Sequence, residues 1–421
     1  MSDQLAPVSA QIGLAFMRSR LTKWLNFTVG LWVFAGGMVL IEPSPYEVAF
    51  LAVLVLAVAA NIHLYRSAAG LLAILMGFIP FALIAAFQVR YTPTTDALLF
   101  SVVTVFLLLT SYFLANYVAE ATEKRMRLVI NAYTATAVLC ALLGTLGYLG
   151  LIPGSDILTL YGRAKGTFKD PNVFGPFLVL PAMFALQRVL LGNRRQQVLG
   201  ILVYGILFVG VFLSFSRGAW GHLAASSLIV LALSYFLEAN NRIKIRIMIT
   251  VLVGSVLLMV ALIGLLSIPA VSDLLEVRTQ VQNYDTGESG RFGRQGYAFD
   301  LALQNPLGIG PVEFRNLRIT EEPHNVYVNV LLSYGWGGGA LYFLLVGSTL
   351  WLGVKGLLRR SAYRPMMIPL VATFSILALE SAIIDTDHWR HWFLLVGLIW
   401  GVSGAIGMEQ TGEKPRPGVL I

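Results

Sequence analysis

The chain has 421 residues, 57% of them hydrophobic and only 12% charged, and its mean hydropathy is +0.74. Soluble domains carry about a quarter charged residues, so this composition excludes one and points to a polytopic helical membrane protein. A single cysteine, Cys140, excludes disulfide frameworks and thiolate metal clusters.

Apolar runs recur along the chain, each near the roughly 20 residues that cross a bilayer as a helix. In chain order they predict about 12 transmembrane helices, over residues 23–41, 47–62, 69–89, 94–119, 127–150, 172–190, 196–213, 217–237, 244–266, 336–357, 365–384 and 390–407. No polar linker divides them, so the expected fold is all-α, one polytopic membrane helical bundle over 23–407 between tails 1–22 and 408–421. The first run lacks a small-residue cleavage site and reads as an uncleaved span. With the N-terminus inside, the short inner loops and tails hold Arg18, Arg20, Lys23, Arg125, Arg195, Arg360 and Arg364. The positive-inside rule is then satisfied with both termini cytoplasmic. The net charge of +8 mostly reports this topology and calls for no nucleic acid.

The two longest loops, 151–171 and 267–323, then fall outside, together with Arg163, Lys165, Lys169, Arg278, Arg291, Arg294, Arg315 and Arg318. Two readings of these outer cations are open. They pair with outer acids such as Asp156, Asp170, Asp273, Glu276, Asp285 and Glu288, or they hold an anionic ligand in guanidinium forks suited to phosphate oxygens.

Four stretches carry the polar inventory. "YGRAKGTFKDPNVFG" (161–175) sets Arg163, Lys165 and Lys169 among glycines that let a ligand approach the backbone, and its Asp-Pro-Asn turn can cap the sixth span. "SFSRGAWG" (214–221) places Arg217 at the edge of the hydrocarbon, where a charge either snorkels to headgroups or serves a site. "SGRFGRQGYAFDLALQNPLGIGPVEF" (289–314) reads as an amphipathic helix followed by a Pro/Gly-rich turn. Arg291 and Arg294 share one of its faces, while Phe292, Phe299 and Leu303 suit a membrane surface. "EEPHNVYVNVLLSYGWGGG" (321–339) asks whether His324 caps a helix or does chemistry, with Asn325 beside it as cap or orienting residue.

In this order the motifs resemble the O-antigen ligase and Wzy-type polysaccharide polymerase family, over roughly residues 150–340; the first five spans match in hydropathy alone. The resemblance implies a metal-independent, inverting glycosyltransferase of the GT-C type in the bacterial inner membrane, without a cofactor. Its donor would be a glycan on undecaprenyl diphosphate, at a periplasmic site among membrane lipids. Its acceptor would be a lipid A-core sugar, for a ligase of lipopolysaccharide biosynthesis, or the growing chain, for an O-antigen or exopolysaccharide polymerase. Carried over residue by residue, the motif arginines are Arg163, Arg217 and Arg291 and the motif histidine is His324. Arg217, Arg291 and His324 are then the catalytic candidates, and Arg163, Lys165, Lys169, Arg294 and Asn325 the diphosphate- or substrate-binding ones.

Elementary chemistry suits these roles. Negative charge builds on the bridging oxygen as lipid diphosphate leaves, and preplaced guanidinium groups stabilise it. The acceptor hydroxyl is a weak nucleophile, and an imidazole is a fitting base for it. In "DTDHWRHW" (385–392), Asp385, Asp387, His388 and His391 admit a divalent metal. They also admit an interfacial turn with Trp389 and Trp392 in the aromatic belt, or one Asp, Asp385 or Asp387, orienting His324. His222, inside a span, is expected to pack against or bond another helix. No Walker loop, dinucleotide fingerprint or short repeat occurs.

The rival class is a transporter, for instance a lipid-linked oligosaccharide flippase. Transporters place polar residues at the midplane of repeated halves, whereas here they gather at one face. An accessory subunit that only holds lipid-linked glycan is a third class. Ligase against polymerase, glycan identity, oligomeric state and any chain-length regulator are not written in the sequence.

Overall fold

The computed structural model describes residues 8–40, 44–279, 287, 290–317 and 321–412. Of the outer charges, Asp285, Glu288, Arg318 and the side chain of Arg278 lie outside the described residues. So do positions 1–7 and 413–421 of the two tails.

Helices dominate. In chain order they are α1 (Val8–Ala35), α2 (Pro45–Ala59), α3 (Ala69–Ala86), α4 (Thr94–Glu120), α5 (Thr122–Tyr148), α6 (Ser155–Leu158), α7 (Pro171–Phe177) and α8 (Val179–Leu191). There follow α9 (Arg194–Leu213), α10 (Arg217–Leu233), α11 (Asn241–Leu266), α12 (Pro269–Thr279), α13 (Arg291–Gln304), α14 (Val326–Leu358), α15 (Arg364–Glu380) and α16 (Arg390–Thr411). A two-residue hairpin, β1 (Thr159–Leu160) and β2 (Arg163–Ala164), sits in the first outer loop.

Local chemistry explains many of the helix starts. Ser44 with Glu47 and Asn193 with Gln196 form capping boxes, while Asp170, Ser216, Asn240 and Asn325 cap their helices with side-chain oxygens. Among the described residues, nine helical stretches are long and apolar enough to cross a membrane. Of the twelve expected spans, α1, α2 and α15 fall short of that standard. Arg18, Arg20 and Lys23 interrupt α1, whereas α2 and α15 have 15 and 17 residues. Helix α1 also begins well inside the segment that composition marks as a tail.

Helix α16 is the axis of the bundle, with 83% of its apolar window buried, packed on α4, α14 and α15. Gly397 and Gly401, one turn apart, bring it close to α4: a Cβ on either would meet the carbonyl oxygen of Ser111 at 2.7 Å or of Ala115 at 2.8 Å. This is the small-residue contact by which membrane helices approach. In contrast, α11 buries none of its apolar window, as suits a lipid-facing helix.

Hydrogen bonds between loops sort the helix ends into two faces. At one, Arg125 meets Glu120, Arg364 meets Glu238, Arg188 meets Asn131 and Arg18 meets the Asn61 carbonyl. At the other, residue 39 bonds Thr167, Glu313 receives the amides of residues 90–92, and Val326 bonds Ser381. The four motif segments all lie at this second face.

Candidate functional site

The first motif and the second are held together by Arg163. Tyr161 and Gly162 turn the hairpin with positive φ, and Arg163 on β2 is buried. Its Nε donates to the Ser214 carbonyl at 2.8 Å and its Nη2 to Asn172 Oδ1 at 2.7 Å. It therefore ties the Asp-Pro-Asn turn to the turn that launches α10. Asp170 caps α7, with its side chain 2.6 Å from the Asn172 amide and Pro171 at the first helical position, as the sequence suggests. Arg217 is the first residue of α10, solvent-exposed, and follows Ser216, whose hydroxyl accepts from the Ala219 amide. Lys165 is half-buried and Lys169 exposed on the same loop.

The third motif is the amphipathic helix α13. Ala298 and Ala302 face α14, while Phe292, Phe299 and Leu303 remain exposed. The turn that follows, Pro306 to Gly310, lodges in a break in α14 at Gly335. There φ is +71, a value L side chains rarely adopt, and a Cβ would overlap the Pro306 carbonyl. The carbonyls of Leu332 and Ser333, freed by the break, accept from the amides of Ile309 (2.8 Å) and Gly310 (3.2 Å), and Trp336 N–H donates to Pro306 O at 2.9 Å. The span expected from residue 336 is thus only the second part of a 33-residue helix.

That helix answers the question about His324. Asn325 is the N-cap of α14, accepting from the amides of Tyr327 (3.1 Å) and Val328 (3.2 Å). His324 precedes the cap in the left-handed region, with φ +54, a conformation costing about 1–3 kcal/mol in a non-glycine residue. Pro323 lies three residues before the helix. The His324 carbonyl accepts from Gln295 of α13 at 3.0 Å, which fixes the arginine helix to the histidine.

The ring of His324 lies among acids. Its Nδ1 is 3.1 Å from Asp385 Oδ2, and Glu321 Oε2 stands 3.6 Å from Nε2 while also pairing with the buried Arg294. Glu322 is held up at about 7 by burial and then by the charge of Asp385, against the pull of Arg315 and His324. Burial, with Asp385 and Glu322 nearby, likewise raises Asp387, which accepts from Asn329 Nδ2 at 3.4 Å. Arg291 opens α13 one turn before Arg294. The structure therefore forms two groups at one face: Arg163 with the Arg217 turn, and His324 with Asp385, Glu321 and Arg294.

Asp385, Asp387, His388 and His391 do not converge. His388 bonds Thr104 at 2.9 Å and stacks on Phe100, and burial lowers it to about 4. His391 packs edge-on to Phe177. Among the described residues no three His, Cys, Asp or Glu side chains form a metal-binding group. The aromatic-belt reading of this turn is corrected as well: Trp389 is buried, and Trp392, fully enclosed, stacks on Tyr342. The Trp392 ring fills the core between Tyr342 of α14 and Phe374 of α15.

Residues 202–343 match the family described as O-antigen ligase. The match covers about a third of the chain, and over it the sequence is similar to that family. No curated protein matches it. The matched segment contains Arg217, Arg291, Arg294, His324 and Asn325, and together with the long apolar helices it supports a membrane protein of a glycan-transfer kind. Arg163, Lys165, Lys169, Asp385 and Asp387 lie outside it, and the fold brings Arg163 to the Arg217 turn and Asp385 to His324. Sequence reading missed Glu321 and Glu322, although the acidic pair directly precedes Pro323. It also missed Glu380, a lone acid ending an apolar run, which is itself the signal.

Proposed function

We propose that this protein is a metal-independent, inverting glycosyltransferase of the periplasmic face of the inner membrane. It would move a glycan from undecaprenyl diphosphate to the hydroxyl of a lipid A-core sugar or of a growing polysaccharide. The observation that carries the reading is the His324–Asp385 pair: an imidazole set outside the helix cap, in a strained conformation, with a carboxylate 3.1 Å from Nδ1. A proton on Nδ1 donated to Asp385 makes Nε2 the basic nitrogen.

In the proposed step, the acceptor oxygen attacks the anomeric carbon from the face opposite the diphosphate. The new C–O bond forms as the C–O bond to phosphate breaks, the electron pair leaves on the diphosphate, and the hydroxyl proton passes to His324 Nε2. Arg217 and Arg291, with Arg163, Lys165, Lys169 and Arg294 around them, stabilise the departing charge by preplaced donors. Asn325 holds the first turn of α14 and thereby the backbone beside His324.

Purified protein given an undecaprenyl diphosphate-linked glycan and an acceptor should form the glycoside with inverted configuration, at an unchanged rate in EDTA. Inhibition by EDTA that one added metal reverses would overturn the metal-free mechanism, and no turnover with any acceptor sugar would overturn the transferase reading.

A further inference from the structure

Helices α10 and α15 share an ionisable pair inside the bundle. His222 Nδ1 lies 2.8 Å from Glu380 Oε2, and both side chains are buried. His222 Nε2 lies 3.1 Å from the Thr373 carbonyl, which can only accept, so Nε2 carries a hydrogen. One proton then sits between Nδ1 and the carboxyl, and the pair is neutral overall whichever partner holds it. That neutrality makes it tolerable in an apolar span. An apolar pair of similar size would join two helices without the cost of desolvating these groups, so their position asks for a reason beyond adhesion.

The position is informative. The other carboxylate oxygen, Oε1, lies against the first turn of α10, where a Cβ at Gly218 would come within 2.7 Å of it. This is why glycine follows Arg217 in "SFSRGAWG": the acid occupies the side-chain space. The next residue, Ser381, accepts the amide of Val326 at 2.9 Å, at the start of α14 and two residues after His324. Its hydroxyl also meets Thr386 Oγ1 at 2.7 Å, in the turn that carries Asp385. Two consecutive residues thus abut the arginine turn on one side and bond the histidine–aspartate turn on the other.

We propose that Glu380 is a positioning residue for glycan transfer. Hydrogen-bonded to His222 and seated against Gly218, it sets Arg217 in register with the His324–Asp385 pair. This rests on the transferase reading above, because it gives Arg217 its task. Misplacing a catalytic group by about 1 Å costs on the order of a hundredfold in rate, so the bracket matters in proportion to its stiffness.

The test compares Glu380→Ala with Glu380→Gln in the purified full-length chain, reading amide hydrogen exchange over residues 214–222 alongside kcat, KM and Tm. The glutamine amide can donate to Nδ1 and fill the space beside Gly218, so exchange and kcat should stay close to wild type. The alanine variant should exchange faster over 214–222 and lose at least about tenfold in kcat, with a much smaller change in KM. Wild-type exchange and kcat in Glu380→Ala, or an equal loss in Glu380→Gln, overturns the proposal. Should Glu380→Ala not fold, Gly218→Ala presses on the same contact from the other side, and wild-type exchange and kcat there overturn it too. Arg217→Ala serves as the separate control. If it transfers at the wild-type rate, the role given to Arg217 in transfer fails, while the exchange difference between the two Glu380 variants still decides whether the bracket exists.

Discussion

The two faces of the bundle use charge differently. At the Arg125 face, Arg125 reaches Glu120 at 2.7 Å and the Tyr117 carbonyl at 2.6 Å, and Arg364 reaches Glu238 and the Leu237 carbonyl, both at 2.6 Å. These are simple pairs, each cation close to one acid and one carbonyl. At the His324 face, a histidine, an arginine and several carboxyls crowd one another, and burial keeps Glu322 and Asp387 above the carboxylate range. Backbone strain follows the same division. Among the described non-glycine residues with positive φ, Asn61 lies at the first face, whereas Tyr161, Phe215, Val312 and His324 lie one in each motif segment of the second. Cations at the first face make simple pairs whose charge matters more than their geometry. Strain and crowding at the second are tolerated where geometry itself is needed.

The contrast is sharpest for the arginines. Arg217→Lys keeps the charge and loses the planar fork, so transfer should slow by on the order of a hundredfold with stability nearly unchanged. Arg364→Lys, at the simple face, should leave turnover alone. Equal turnover in both variants would erase the distinction between the faces.

Glu313 shows that not every charge at the second face serves chemistry. It is buried, and although burial opposes ionisation, the Thr92 hydroxyl, with the amides of residues 90–92 at 2.9 Å each, holds it below its ordinary value. Its stabilising contribution is present at neutral pH and is lost as acid protonates it. Glu313→Gln leaves buried donors facing an amide and should cost about 2 kcal/mol of stability, read as a lowered Tm, with kcat largely retained in the folded fraction. Unchanged Tm would show that this staple carries no weight.

A smaller effect belongs to Glu322. Its folded value of about 7 exceeds the ordinary 4.5, so between these pH values the folded state holds a proton that the unfolded chain has released. Stability from this group is therefore lost as pH rises through that window. Glu322→Gln should flatten the decline in Tm from pH 5 to pH 8. A steeper decline in the variant would contradict the crowding of acids around His324.

The sequence made the spans and their caps legible because each is local. Asp170 and Asn325 cap their helices as their residue types suggest, and hydropathy marks α9, α10 and the stretch of α7 and α8 together to within a few residues. The break at Gly335 was not legible, since it is stable only because the turn at 306–310 supplies donors to the freed carbonyls. The partners of His324 were half legible. Asp385 is a candidate orienting acid, yet its distance to the ring depends on how α15 ends and α14 begins. Trp389 and Trp392 misled because tryptophan suits both a membrane interface and a core, and only packing against α14 and α15 decides between them.

The central claim is that His324 removes a proton and does not serve helix geometry, and the most direct measurement is single-turnover transfer by His324→Asn with donor bound. Asparagine can accept a hydrogen bond and tolerates the left-handed conformation found here, yet it takes no proton at neutral pH. The account predicts a folded variant that binds the lipid diphosphate through its arginines and transfers almost nothing, with Asp385→Asn impaired in the same direction but less. Near-wild-type turnover by His324→Asn would contradict it and leave the acceptor to be activated by another group.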